Sequence, residues 1–561
     1  MNCPRFLLAD MNNFNTKRLT FLLAIAALSI TCVSPIFGQN SLLVNVGEEV
    51  FVVGAGTTED ETTFLSGGIL SNTNPNRSIL GPVLVLNSST VRTNRNTLTI
   101  EGTISGQSQN TLTFSSLPNQ LPGSILLSGD NDYQGPTIIN SGLVIATNEN
   151  SLGTTDSGTS ITGFGRLSLQ VANSEAFVVA GTQTLGSGND NLRFRHSEAV
   201  TNDITFQSGE IFLDETSELQ SRIQLDQQGA LAAVLRGDTT VVGGVEGSGN
   251  LTLQGNLTFT DAGLDHSGDV IILNTAYGAR GNVQFNVANA FSGDTIVTNQ
   301  GSLEVNNSSA LGNSSNAVQV RDSGELILNQ NVDRDVDLQR GRLETGDGVA
   351  FDGDVFASDF STVGGTGTFR GNIDFVNGGT LSGGNFEGTI GGAEDLRISG
   401  GETTRLNAAN TFSGITTISG TTEINDADGL GTNDFGTLIS NRQTDLNAVT
   451  EESFSVSSSG ELNVNVAQRQ LPRVVPSSNS NDPTLSLNSA SEYDEIAQFS
   501  DAVLVVRAEN RISTVVVSDG GSVSVDADSP GSLTTENFIL NGGSVEAVSY
   551  THLTLPTICS V

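Results

Sequence analysis

Four short stretches, Gly301-Ser302-Leu303, Gly324-Glu325-Leu326, Gly341-Arg342-Leu343 and Gly379-Thr380-Leu381, decide how the chain is read. Their successive spacings are 23, 17 and 38 residues, the last being twice 19. Gly-Gly pairs keep a similar beat: Gly378 to Gly400 is 22 residues, and so is Gly520 to Gly542. Around them, apolar runs such as Leu251-Thr252-Leu253, Ile296-Val297 and Thr514-Val515-Val516-Val517 alternate with Gly, Asn, Asp and Ser. Runs of about three to six such residues bounded by turn formers read as strands, and no stretch sustains a helical period. A turn glycine and a short strand recurring about every 20 residues predict a stacked β-solenoid. Each coil of about 17–23 residues would climb one inter-strand spacing of ~4.8 Å, so a body of about 510 residues predicts roughly 25 coils and a rod on the order of 120 Å. The competing architecture, a string of antiparallel β-sandwiches, calls for strands about every 8–12 residues and separable units of ~100 residues.

Composition points the same way. Glycine supplies 64 of 561 residues and tryptophan none, so large apolar side chains are too few to fill several thick cores. A thin interior running along a solenoid needs only a few inward residues per layer. The charge is lopsided: 24 basic against 61 acidic residues give −37, and Lys17 is the only lysine. Nucleic acid is excluded as an expected partner because phosphate binding needs Lys/Arg clusters. Adsorption to anionic lipid is disfavoured for the same reason.

Residues 1–38 read as a secretory signal: Lys17 and Arg18 precede the apolar stretch Leu19–Val33, and Ser34-Pro35-Ile36-Phe37-Gly38 offers a cleavage site. That stretch is short for a membrane span, and no other segment approaches one. Of the three cysteines, Cys3 and Cys32 fall in the signal and Cys559 in the final segment, so 39–548 carries no disulfide framework. The last residues, Ser549–Val561 (SYTHLTLPTICSV), break with the acidic, glycine-rich text before them and are expected to be a non-native tail. Residues 466–500 lose the turn period and are expected to form a loop or insertion.

Three segments share a pattern. The first runs Ile125-Leu126-Leu127-Ser128-Gly129, Tyr133-Gln134-Gly135-Pro136-Thr137-Ile138-Ile139 and Gly142-Leu143-Val144-Ile145, closing at Leu152-Gly153. The second runs Phe291-Ser292-Gly293-Asp294-Thr295-Ile296-Val297, Gly301-Ser302-Leu303-Glu304-Val305 and Ala310-Leu311-Gly312. The third runs Asn410-Thr411-Phe412-Ser413-Gly414-Ile415-Thr416-Thr417-Ile418, Gly420-Thr421-Thr422-Glu423-Ile424 and Gly429-Leu430-Gly431, and lacks a leucine after Gly420. From aromatic to closing leucine is 19, 20 and 18 residues. These segments resemble the autotransporter-associated β-strand repeat of bacterial surface passengers, most clearly over 100–155 and 243–435. The resemblance implies an all-β, right-handed parallel β-helix with ~20-residue coils over 39–548. It further implies a secreted, cell-surface protein associated with the outer membrane of a Gram-negative bacterium. A C-terminal translocator or anchor would be missing from the sequence, because 440–548 lacks the alternating strands and aromatic girdles of a barrel.

Catalytic machinery is sparse. His196 and His266 stand 70 residues apart and His552 lies in the suspect tail; no metal-pair or nucleophile-elbow motif occurs. No catalytic, cofactor-binding or metal residue is therefore assigned. The densest candidate is Val332-Asp333-Arg334-Asp335-Val336-Asp337, where alternation predicts Asp333, Asp335 and Asp337 on one side of a strand. Such a set could hold Ca²⁺ through oxygen ligands, but a solvated acidic face is the expected reading. Leu185-Gly186-Ser187-Gly188-Asn189-Asp190-Asn191-Leu192 resembles a single calcium-binding nonapeptide, and a plain turn is expected because neighbouring copies are missing. Arg236-Gly237-Asp238 spells an integrin-recognition tripeptide, expected by chance in a chain this rich in Gly and Asp. Tyr133, Phe291 and Phe412 are expected to stack in the core between coils. The resulting expectation is a non-catalytic passenger, adhesin-like or structural, meeting host, neighbouring-cell or polysaccharide surfaces. The alternative is a β-helix carbohydrate-active enzyme of lyase or hydrolase type.

Overall fold

The computed structural model describes residues 41–547 apart from 53–55, 58–59, 73–75, 117–122, 156, 183–189, 217, 228–230, 275–280, 393, 433–435, 476–481 and 527–530. The signal segment 1–38, the tail 549–561 and most of the nonapeptide at 185–192 therefore lie outside the described residues. The protein has no helix, is 55% strand, and forms a parallel β-solenoid of about 23 turns stacked about 20 residues apart. No helix among the described residues is long and apolar enough to cross a membrane.

The chain divides into two compact units: 1–138 with 142–157, and 139–141 with 158–561. In the first unit each coil presents three strands. Leu70, Val91 and Phe114 align in one inward column, and Ile79, Ile100, Leu127 and Ala146 in another. All seven side chains are buried.

The second unit shows why the Gly-x-Leu spacing holds. Leu303, Leu326, Leu343 and Leu381 stand in one parallel register with Val363 as the intervening rung, so the 38-residue gap is two coils of 20 and 18. The column continues down to Val283 and up through Ile398, Ile418, Ile439, Val456 and Val474. A second column runs Phe351, Phe369, Phe386, Leu406, Ile424, Leu446, Val464, Leu487, Val506. Coil length varies, yet register does not, because the extra residues sit at corners. Burial of each such side chain contributes about 1.5–3 kcal/mol, repeated once per rung.

Two expectations are corrected. Strands are not confined to three to six residues: Thr137–Ala146, Thr159–Leu169 and Ile204–Asp214 run for 10, 11 and 11. They bend within the strand at Gly142, Gly163 and Gly209, each with positive φ, so the ladder turns a corner without an open loop. The segment 466–500 is not a loop. It holds Arg473–Val474, Thr484–Leu487 and Ser491–Phe499, the last opening a separate three-stranded parallel sheet with Glu509–Ser518 and Ser532–Asn541. Its turn glycines are replaced by Asn, Ser and Pro, which hid the period. A polar cavity of about 550 Å³ lies beside this sheet, bordered by Leu471, Arg473, Glu495 and Phe499.

Candidate functional site

The outward row Ser168, Arg193, Phe212, Arg236 and Gln254 crosses five successive strands in register. Long polar side chains on neighbouring rungs must meet, since rungs stand only ~4.8 Å apart. Arg236 Nε lies 2.5 Å from Glu210 Oε1, and its Nη2 binds Asp190 Oδ1. The Arg236 guanidinium sits 3.8 Å over the Phe212 ring, and that of Arg193 lies 4.8 Å from the same ring centre. Arg193 Nε donates to Asp214 Oδ2 at 2.9 Å, and its Nη1 stands 3.7 Å from Asp190. The Glu210 and Asp190 side chains are only 4% and 3% exposed, against 25% for Arg236. Burial pushes the Glu210 carboxyl up, with Asp190 adding to the rise and Arg236 opposing it.

Asn191 fixes the inner side of this knot. Its Oδ1 accepts the Glu210 N–H at 3.1 Å and its Nδ2 donates to Gly165 O at 2.8 Å. A Cβ at Gly181 or Gly209 would fall 2.1–2.2 Å from the Asn191 amide, so both positions need glycine. The assembly unites a raised carboxyl, a second carboxylate and two arginines, the components of acid–base chemistry. Its carboxyl groups are closed off, however, and already matched by guanidinium.

The sequence candidates land elsewhere. Asp333 and Asp335 precede the strand Val336–Gln339, so the three aspartates do not share one strand face. Asp335 Oδ1 accepts the Asp354 N–H at 2.8 Å, and Asp354 Oδ1 accepts the Asn372 N–H at 2.7 Å. Arg334 turns inward to donate to the carbonyls of Leu311 and Gly312, both at 2.9 Å. The same corner device recurs where Asn250 receives Asp269 N–H and Asp269 receives Asp294 N–H. Acidic residues here serve as rung-to-rung acceptors. Among the described residues no group of three or more His, Cys, Asp or Glu is placed to hold a metal ion. Arg236-Gly237-Asp238 lies within the nine-residue strand Ala233–Val241 with its arginine committed to the knot. His196 and His266 are buried among aromatics and pushed down by that burial; His266 stacks on Phe291 at 5.8 Å.

Tyr133, Phe291 and Phe412 are buried as expected. Each carbonyl accepts the N–H of the residue after the closing glycine: Thr154, Asn313 and Thr432. Glycine is required there, since φ is +96°, +77° and +80° and a Cβ would press on the aromatic residue. Sequence reasoning missed the asparagines two positions earlier. Asn131, Asn289 and Asn410 are buried, and each Oδ1 accepts an N–H from the preceding coil (Ile104, Leu264, Ile390) at 2.7–2.8 Å. Each Nδ2 donates into the turn beyond, to Ser151, Ala310 and Gly429. The signal was present as Asn-x-aromatic in all three repeats.

Two further buried acids stand apart. Thr159 Oγ1 donates to Glu175 at 2.9 Å and Thr437 Oγ1 to Glu452 at 3.0 Å. Burial pushes Glu175 up from 4.5 to about 7, partly offset by the threonine, and pushes Glu452 in the same direction. A folded pKa above the unfolded one means that stability is fully present below about pH 4.5 and is lost as pH rises through about 7. Glu175→Gln is expected to be nearly neutral at pH 4 and to stabilise by roughly 1–3 kcal/mol at pH 8, read as urea midpoints. An equal effect at both pH values would refute the assignment.

In comparison with known proteins, the chain matches no family model, no curated protein and no solved structure.

Proposed function

We propose that the chain is a secreted or surface-exposed, non-catalytic β-helical passenger of the autotransporter-associated kind, adhesin-like or structural, at the outer face of a Gram-negative envelope. The observation that carries this reading is the pair of long in-register columns, Val283 to Val474 and Phe351 to Val506, which lay out a repetitive outer surface. A continuous parallel ladder of this kind resists local opening and presents many weak polar contacts. Its partners would be host, neighbouring-cell or polysaccharide surfaces. The test is expression of the full chain in a Gram-negative host, followed by antibody labelling and protease shaving of intact cells. Labelling of unbroken cells or recovery from the medium is expected; retention in the cytoplasm overturns the reading.

A second reading, a carbohydrate-active enzyme, draws on one observation, the Glu210–Asp190–Arg236 knot. Incubation with acidic and neutral polysaccharides, followed by reducing-end and unsaturated-product assays, separates the two. The passenger reading expects no new ends. Turnover that disappears on Glu210→Gln or Asp335→Asn would replace it with the enzyme.

A further inference from the structure

One stretch of the outer face departs from the acidic and amide-rich surface around it. Phe356, Phe360 and Val376 are 53%, 78% and 54% exposed and lie on adjacent rungs. Phe356 points outward from Val355–Ser358, whose Val355 and Ala357 fill the core. In its outward row it stands between Asp337 on the rung before and Asp374 on the rung after. The next position in that row is Gly391, where an added Cβ would meet nothing closer than 3.4 Å, so the row opens into free space.

Phe360 carries the second signal. It occupies the corner after this strand with φ +63°, following Asp359 at +56°. The matching corners two and three coils earlier hold Ser323 at +64° and Gln300 at +62°, and the next coil closes on Asn377 and Gly378. A bulky aromatic in left-handed backbone is a costly outlier, and such strain persists where the surface is used. No interior contact compensates it: the ring lies outside, over Gly378, where a Cβ would approach it to 3.3 Å.

We propose that Phe356 and Phe360 form a stacking platform for a neutral or aminated glycan, with Asp337, Asp374 and Asp359 accepting its hydroxyl or ammonium hydrogens. Aromatic faces present the negative quadrupole that C–H-rich sugar faces and cations seek. Carboxylates in the same row reject anionic chains and favour donors, and a net charge of −37 adds to that selection. The apolar area is broken up by carboxylates, which suits an alternating polar and apolar sugar face better than a protein hot spot. This inference rests on the surface-passenger reading and names its ligand class.

The test is affinity electrophoresis and titration calorimetry of the full chain with cello-oligosaccharides, soluble β-glucan, chitosan oligosaccharides and alginate. Binding to at least one of the first three and none to alginate is expected. Phe356→Ala and Phe360→Gly should each weaken it about tenfold. Phe360→Gly should also raise the melting temperature, because it removes the left-handed strain; lost binding in this more stable variant cannot be blamed on unfolding. Absence of binding to all three glycans, equal binding of alginate, or binding untouched by both substitutions overturns the platform. None of those results bears on surface exposure, and cytoplasmic retention would overturn the passenger reading even if a glycan bound.

Discussion

Replacing Phe369 by alanine is expected to destabilise the second unit by about 3–5 kcal/mol. The ring is stacked on Phe386 at 4.9 Å and 9°, and meets Phe351 edge-on at 6.0 Å. It is buried, and its strand is pinned by rungs on both sides, so the walls cannot collapse into the space it leaves. In a structure where each coil touches only its neighbours, the damage should be local. Hydrogen exchange should lose protection first around Ala350–Phe386, with a lowered first transition in guanidinium. Phe356→Ala, one strand away but facing outward, should cost under ~0.5 kcal/mol. Equal losses from the two phenylalanines would contradict the shared interior.

Asn410→Ala comes next, at roughly 2–5 kcal/mol. The amide accepts from Ile390 N–H at 2.7 Å and donates to Gly429 O at 2.6 Å. Its loss strands two buried backbone groups, each worth about 1–3 kcal/mol when unsatisfied. Asn425 supplies the control. It belongs to an exposed ladder in which each amide donates to the one before: Asn425 to Asn407, Asn447 to Asn425, Asn465 to Asn447. Water can replace those bonds, so Asn425→Ala should cost less than about 1 kcal/mol. Denaturant midpoints of the two variants check the contrast; a cost at Asn410 no greater than at Asn425 would refute the bridging role.

The fold was legible because one inward leucine per coil survives next to a turn glycine, as at Leu303, Leu326 and Leu343. It became illegible where the inward residue changed class. Thr422 takes the place of the leucine missing after Gly420 and is fully buried. Thr484–Leu487 and Ser491–Phe499 continue the ladder without the Gly-Gly beat. The Glu210–Asp190–Arg236 knot could not be read at all. Its members lie 20 and 26 residues apart and meet only because coil length brings them to adjacent rungs. Conversely, Asp333-Arg334-Asp335 looked dense in one dimension, yet its side chains are distributed to different neighbours.

The variable coil length described above has a consequence for how such a gene can change. Duplicating a block of about twenty codons adds one storey and leaves every existing neighbour pair intact. Inserting a single codon inside Ser302–Val305 would instead exchange interior and exterior for that storey alone. The molecule is thus tolerant of large edits and intolerant of small ones, with corners such as Asn299-Gln300 as the places where a misspelling does no harm.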